Sequence, residues 1–130
     1  MSKGHRSQIK KTRNAETNAA KMPMATAKYQ MVSAQKAQFV LDLIRGKSVR
    51  EADAILLYQP QKAARIARKV LLSAVANAEN NKGMNKDELV VAYATANQGP
   101  MLKRIRARAK GRAYRIEKKT SHITIGVNNK

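Results

Sequence analysis

The sequence predicts an α+β domain in which three helices pack on one face of a small antiparallel three-stranded sheet, with a long protruding β-hairpin. Three observations predict this class. Segments with the alternation or apolar content of strands are 25–31, 89–96 and 114–127. Segments with apolar residues at helical spacing are 33–46, 48–58 and 62–80. The third observation is a basic stretch at 101–119, which is too highly charged to be buried in a protein core.

The first predicted strand is a run of alternating side chains. Its odd positions are Ala25, Ala27, Tyr29 and Met31, and polar residues stand between them. Successive side chains of a strand point to opposite faces of the sheet. The pattern therefore predicts a half-buried strand whose odd positions face the core.

The first predicted helix begins after Ser33, whose hydroxyl is expected to accept a hydrogen bond from a free backbone amide. Gly46 fits the position just after the helix. The apolar stripe consists of Ala37, Val40, Leu41 and Ile44. A second, shorter helix is predicted to open with a capping box formed by Ser48 and Glu51, and to end before Pro60.

The longest predicted helix runs from Lys62 to about Asn80. One of its stripes is apolar, with Ile66, Ala67, Val70, Leu71, Ala74 and Ala78. Another is basic, with Lys62, Arg65, Arg68 and Lys69, and no acid stands near them in the sequence. Either a solvated face or an anion contact fits this second group.

The remaining strands differ in how their faces are populated. Residues 89–96 are apolar on both faces, which is typical of a central strand. Farther on, Ile123, Ile125 and Val127 alternate with more polar residues, so one face of that strand is predicted to be buried.

The basic stretch contains nine Lys or Arg residues and one acid, Glu117, between Met101 and Lys119. Basic and small or apolar residues nearly alternate from Lys103 to Lys110, which is the period of an extended chain. A disordered tail is the alternative, but apolar residues are interleaved and strands flank the stretch. We therefore predict a hairpin arm over about 98–116, with Gly111 at a turn position that needs a positive φ.

Composition bounds the class of partner. The chain has 130 residues, a net charge of +19, 43% hydrophobic residues and no cysteine. Such a charge predicts a polyanionic partner, and the absence of cysteine excludes disulfides and thiolate metal sites. No apolar run reaches the ~20 residues of a membrane span, and no signal-peptide pattern precedes the domain.

The excess charge is concentrated at the two flanks of the domain. Residues 1–31 carry seven bases and one acid. We divide the chain into a basic N-terminal extension (1–27), disordered or ordered on RNA, a single α+β domain (28–127), and a tail (128–130).

The sequence offers no arrangement for catalysis. It contains neither GxxxxGK[ST] nor GxGxxG. Its two histidines are His5 and His122, and the neighbours Thr120, Ser121 and His122 point to alternating faces of a strand, which does not suit a nucleophilic triad. The carboxylates form no evident metal cluster. We predict a protein without active site, metal or cofactor that binds nucleic acid through backbone and shape.

Six blocks of the sequence closely resemble the bacterial form of the large-subunit ribosomal protein family L-twenty-two, over about residues 28–127. In chain order they are Ser33-Ala34-Gln35-Lys36, Leu43-Ile44-Arg45-Gly46-Lys47, Ala76-Asn77-Ala78-Glu79-Asn80, Gly99-Pro100 with Lys103-Arg104, Arg108-Ala109-Lys110-Gly111-Arg112-Ala113, and Lys119-Thr120-Ser121-His122-Ile123-Thr124. Ala107 departs from the proline that many relatives have before Arg-Ala. The family's usual N-terminus is also shorter than residues 1–27.

The resemblance implies a structural role in the cytoplasmic ribosome, in subunit assembly and in translation. The hairpin would thread the large-subunit rRNA, its tip would line the peptide exit tunnel, and the body would lie near the tunnel exit. The implied partners are large-subunit rRNA, the neighbouring ribosomal protein L-four and the nascent peptide, with no membrane and no small-molecule substrate.

Charge and resemblance together give the expected site residues. Those expected to bind rRNA are Lys28, Lys36, Arg45, Lys47, Lys103, Arg104, Arg106, Arg108, Lys110, Arg115, Lys118, Lys119, Ser121 and His122. Those expected at the tunnel-lining tip are Arg108, Ala109, Lys110, Gly111, Arg112 and Ala113. The alternatives are a non-specific architectural protein that binds DNA or RNA, and an RNA-modifying enzyme, for which no cofactor-binding residues are evident.

Overall fold

Strands and helices follow one another in the predicted order. The computed structural model describes residues 8–13 and 21–130. The helices are α1 (residues 8–13), α2 (Ala34–Ile44), α3 (Val49–Tyr58) and α4 (Lys62–Lys82). The strands are β1 (Met24–Gln30), β2 (Leu89–Gln98), β3 (Leu102–Ala107), β4 (Ala113–Lys118) and β5 (Ser121–Asn129). This confirms the α+β class, with α2, α3 and α4 against a three-stranded sheet and β3 and β4 as a separate hairpin.

The N-terminal extension is described only in part, because residues 1–7 and 14–20 lie outside the described residues. The short helix α1 falls within it and is exposed. Pro23 is buried, and its carbonyl accepts a hydrogen bond of 3.0 Å from the amide of Val127. Residues 24–27, which the division at residue 28 places in the extension, lie in β1, and β5 continues to Asn129 in the tail.

Helix α2 buries the predicted stripe, and Gly46 follows it with φ +78°. Ser33 stands at its N-cap, but its side chain makes no capping hydrogen bond, so the expected role of the hydroxyl is wrong. In α3 the Ser48 side chain accepts a bond of 3.4 Å from the Glu51 amide, as the capping box predicts. Packing of the buried stripe stabilises α2 without the cap, since tertiary contacts supply most helix stability in proteins.

Helix α4 provides the widest apolar surface. Its predicted stripe is buried, apart from Ile66, which is half-buried. Small alanines let α4 pack directly against β1 and β5, while α2 packs against β2, and α3 packs on α4 and α2. Leu71, Ile123 and Ile125 lie at the centre of this core with no exposed surface.

The strand order is β1-β5-β2, so the prediction that residues 89–96 form the central strand is wrong. β5 is central, and β2 lies at an edge that the α2 region covers. The Gly46 amide donates to Val91, the Val91 amide donates to the Lys47 carbonyl, and Arg45 Nη2 donates to the Ala94 carbonyl at 2.7 Å. These bonds satisfy an edge that would otherwise pair with another chain.

Irregularities in strand register explain why some side chains are exposed although the sequence alternation predicts that they are buried. β2 has a register shift between Val91 and Tyr93, which mixes its two faces. β1 has another between Ala27 and Gln30. As a result Tyr29 is 64% and Met31 48% exposed, although the alternation places both in the core. A bulge adds an extra residue to one strand, and beyond it the side chains no longer alternate between the two faces as the sequence prediction assumes.

The hairpin β3–β4 leaves the sheet between Gln98 and Ser121. Its strands pair over six residues each, from Leu102 opposite Lys118 to Ala107 opposite Ala113. At ~3.3 Å per residue the paired part is about 20 Å long. The hairpin arm is therefore an ordered ribbon, as predicted.

Candidate RNA interface

The register of the hairpin sorts its side chains onto two faces, since directly opposed residues of an antiparallel pair share a face. Face one carries Leu102, Arg104, Arg106, Tyr114, Ile116 and Lys118. Face two carries Lys103, Ile105, Ala107, Ala113, Arg115 and Glu117. Face one thus has three bases and no acid, whereas face two has two bases and one acid. Both faces are cationic, and face one is the more strongly so.

Three large apolar side chains of the arm are also exposed. Ile105 is 79% and Tyr114 54% exposed, and Leu102 is 44% exposed. This chain gives these side chains little cover, and exposed apolar groups among cations fit a partner that is anionic and also offers flat apolar surface. Folded RNA has both properties.

The tip is a five-residue turn from Arg108 to Arg112. The Arg108 amide donates to the Arg112 carbonyl at 2.7 Å, which closes the turn. Gly111 has φ +68°, as predicted, and Lys110 also has a positive φ of 59°. The Arg108 guanidinium carbon lies 5.8 Å from the centre of the Tyr114 ring, within the range of a cation–π contact. The turn displays all three tip cations, Arg108, Lys110 and Arg112, to solvent.

The base of the hairpin is a close junction. The Gly99 amide donates to the Thr120 carbonyl at 2.9 Å, and Thr120 Oγ1 donates to the Pro100 carbonyl at 2.6 Å. Thr120 is only 5% exposed. A Cβ on Gly99 would lie 2.6 Å from Thr120 Oγ1 and 3.2 Å from His122 Cε1. Only glycine fits there, and these two bonds tie the arm to the sheet.

The body residues expected to bind rRNA differ in how free their side chains are to contact a partner. Lys28, Lys36 and Lys47 are exposed. Arg45 holds the β2 edge and also pairs with Asp42 at 2.9 Å, so its guanidinium already has protein partners.

Ser121 and His122 do not lie open on the surface. Ser121 is fully buried on the helix-facing side of β5, and its Oγ has no hydrogen-bond partner among the residues that the structure describes. Its side chain cannot reach RNA, so its assignment to the interface is a correction. His122 is half-buried and accepts a hydrogen bond from the Tyr29 amide.

A concave surface at the hairpin base gathers lysines from three elements. Lys36 comes from α2, Lys62 from α4, and Lys118 and Lys119 from the end of the hairpin; Ser33 and Glu117 also line it, and the cavity volume is about 380 Å³. Lys62 Nζ donates to the Met31 carbonyl at 3.2 Å. Lys62 was not among the expected site residues, because only the fold brings these lysines together. Its place in the basic stripe of α4 was the one indication in the sequence that it could contact an anion.

One member of the basic group on α4 has an acidic partner from another helix, which the sequence around α4 does not reveal. Arg68 Nε donates to Asp53 Oδ1 at 2.7 Å, across the contact between α3 and α4. This hydrogen bond, followed by the charge attraction of the same carboxylate, raises the pKa of Arg68 above its ordinary value. Arg68 therefore has a structural role in joining two helices.

The described residues contain neither a candidate metal site nor a candidate membrane span. Within residues 8–13 and 21–130, no three His, Asp or Glu side chains come close enough to hold a metal ion. In the same ranges, no helix has the length and apolar content that crossing a membrane requires.

Comparison with known proteins identifies the family. Residues 25–128 match the family model described as ribosomal protein L22p/L17e. The chain is 55% identical over 130 residues to the large ribosomal subunit protein uL22 of Lachnospira eligens, covering 100% of both chains. It is 56% identical to the protein of that name from Agathobacter rectalis, covering 96% of each chain. With the one from Clostridium novyi it shares 56% over 106 residues, 82% of this chain and 96% of the relative.

The last alignment spans fewer residues, whereas the first includes the N-terminal extension. The three relatives named above carry the name of one ribosomal protein, and the match to the family model covers the sheet, helices α2 to α4 and the hairpin. This chain belongs to the ribosomal protein L22p/L17e family.

Proposed function

We propose that this chain is a structural component of the large ribosomal subunit, in the cytoplasm, and not an enzyme. It binds large-subunit rRNA through backbone and shape and supports subunit assembly and translation. The hairpin threads the rRNA, its tip (108–113) lines the nascent-peptide exit tunnel, and the body lies near the tunnel exit. The family membership supports the ribosomal role and favours it over an architectural or RNA-modifying protein.

One observation carries the proposal: the hairpin is an ordered ribbon with cations on both faces and exposed apolar groups between them. A surface-bound ribbon uses one face. A ribbon enclosed by nucleic acid can use both, and each cation then neutralises a phosphate and releases counterions.

The proposed contacts divide by position. Along the shaft, Lys103, Arg104, Arg106, Arg115, Lys118 and Lys119 bind phosphates and fix the position of the arm. On the body, Lys28, Lys36, Arg45 and Lys47 contribute, with His122 at the junction. At the tip, Arg108, Lys110 and Arg112 lie closest to the lumen, opposite ribosomal protein L-four, and face the nascent peptide.

The shaft contacts are tested by charge neutralisation. The variant Arg104→Gln/Arg106→Gln removes two cations from face one, and Lys86→Gln on the body is the control, because Lys86 is exposed and distant in sequence from the arm. The measurement is binding to in vitro transcribed large-subunit rRNA over a salt titration. The slope of log affinity against log salt should fall by about 0.7–0.9 for each lost phosphate contact, and should stay unchanged in the control.

A slope that falls equally in both variants would mean that the arm has no special position on the RNA. The tip is tested separately, with Arg112→Gln. That variant should still enter subunits that survive a high-salt wash, while crosslinks from the tip to nascent chains should change. Failure to enter subunits would place Arg112 among the assembly contacts and refute the division between shaft and tip.

A further inference from the structure

The bulge in β1 holds Tyr29 in a strained conformation. Ala27 pairs with Ile123 and Gln30 with Ser121, so Lys28 and Tyr29 together stand opposite His122. Tyr29 has φ +55°, which is rare for a side chain with a bulky Cβ substituent. Among the described residues the only other non-glycine residue with positive φ is Lys110, in the hairpin turn. Strain of this kind costs free energy and is concentrated at functional sites.

Specific contacts fix the orientation of Tyr29. Its amide donates to His122 Nδ1 at 3.0 Å, which requires the neutral imidazole with its proton on Nε2. The two rings meet edge to face, with centroids 4.8 Å apart and planes at 89°. Gln30 Nε2 donates to the Lys28 carbonyl at 2.9 Å and further holds the bulge. The phenol ring is therefore rigidly placed, yet it remains 64% exposed.

The outward orientation of Tyr29 indicates that its ring has a role in binding. If packing alone were the purpose, an unbulged β1 would place Tyr29 in the core, as the sequence alternation predicts. The bulge instead turns the ring outward at the cost of strain. Exposed and pre-oriented aromatic rings beside cations are how RNA-binding proteins stack unpaired bases. Lys28, the neighbour in the bulge, is exposed and cationic.

We propose that Tyr29 is a stacking platform for one unpaired base of the bound RNA, held in place by the Tyr29–His122 contact. This inference rests on the proposed function, because it takes large-subunit rRNA as the partner. It adds a contact with a base to the body of the domain, where most of the other proposed contacts are those of cations with phosphates. Tyr58, 85% exposed at the end of α3, makes no ring contact with any other described residue, so it is not part of the proposal.

Three substitutions separate stacking from structural support. Tyr29→Phe keeps the ring, Tyr29→Leu removes it and keeps an apolar group, and Tyr29→Gly removes it and relieves the positive φ. Tyr58→Leu is the matched control at an exposed tyrosine. Each full-length variant is tested against in vitro transcribed large-subunit rRNA, and against a non-ribosomal RNA of equal length, at a temperature where circular dichroism shows it folded.

Tyr29→Phe and Tyr58→Leu should bind as the parent does, while Tyr29→Leu and Tyr29→Gly should lose about 5- to 150-fold in affinity for the rRNA. The loss should be the same at low and high salt, because stacking releases no counterions. Tyr29→Gly should melt at the parent's temperature or above it. Loss of binding together with unimpaired stability is the signature of a residue held for function.

Two failures are distinguishable. If the parent binds both RNAs equally, the proposed function fails. If the parent prefers the rRNA and the Leu and Gly variants bind it as well as the parent, only the stacking inference is overturned. Retained binding with a lowered melting temperature in Tyr29→Gly also overturns it, because the ring would then serve the fold alone.

Discussion

The junction at the hairpin base gives a prediction whose magnitude follows from distances. In Gly99→Ala the new Cβ would lie 2.6 Å from Thr120 Oγ1, where real Cβ contacts stay above 3.0 Å. The hydroxyl must move, yet it is buried and already donates to the Pro100 carbonyl at 2.6 Å. Moving it breaks that bond, so we expect a loss of about 1–3 kcal/mol in the free energy of unfolding. The midpoint of thermal unfolding should fall by about 4–8 °C per kcal/mol.

A double-mutant cycle isolates the clash. Thr120→Ala removes both the hydrogen bond and the atom that Cβ would meet, and should cost about 1 kcal/mol by itself. In this background Gly99→Ala should cost at least about 1 kcal/mol less than it does in the parent, since one bond cannot be lost twice. Urea denaturation of the full chain, followed by circular dichroism, measures all four forms.

The control is Gly83→Ala at the end of α4, where φ is +62° and no atom lies within 4 Å of the added Cβ. Its cost comes from backbone strain alone, about 1–2 kcal/mol, and should add to that of Thr120→Ala. If Gly99→Ala is neutral, or if its cost is unchanged by Thr120→Ala, the junction does not have the close packing described.

The remaining predictions concern the core, the extension and an ion pair. Leu71→Ala should cost about 2–5 kcal/mol in urea denaturation, because the side chain is fully buried; a cost below about 0.5 kcal/mol would contradict that burial. Deleting residues 2–20 should leave the melting temperature unchanged and weaken rRNA binding mainly at lower salt, where phosphate contacts contribute most, whereas deleting 2–24 should lower the melting temperature, since the Pro23 carbonyl bond to β5 is lost. Asp53→Asn should lower stability at low salt and approach the parent at high salt, because the ion pair with Arg68 is partly exposed; a deficit that persists in high salt would assign the effect to the hydrogen bonds.

Much of the site was predictable because its signals are local. The hairpin and its cations were identified from charge density and alternation, and Gly111 from its place in the turn. The signal for Tyr29 was present but misleading, since alternation alone assigns it to the core. Ser121 was misplaced for a related reason: motif blocks carry no information about which face of a strand meets the helices. The lysines at the hairpin base come together only in the fold.

Each segment taken separately was enough to predict the helices, the buried stripes on α2 and α4, the order of elements and the cationic arm. Each of these depends on the period of side chains within one segment, or on the cost of burying charge, and both can be read without knowing what lies opposite. By contrast, contacts in the folded chain make β5 the central strand, turn Tyr29 outward at the β1 bulge, and pair Arg68 with Asp53. These three features depend on strand register and on contacts between segments that are far apart in the chain. The free energy of such a contact depends on both segments together, so neither segment alone predicts it.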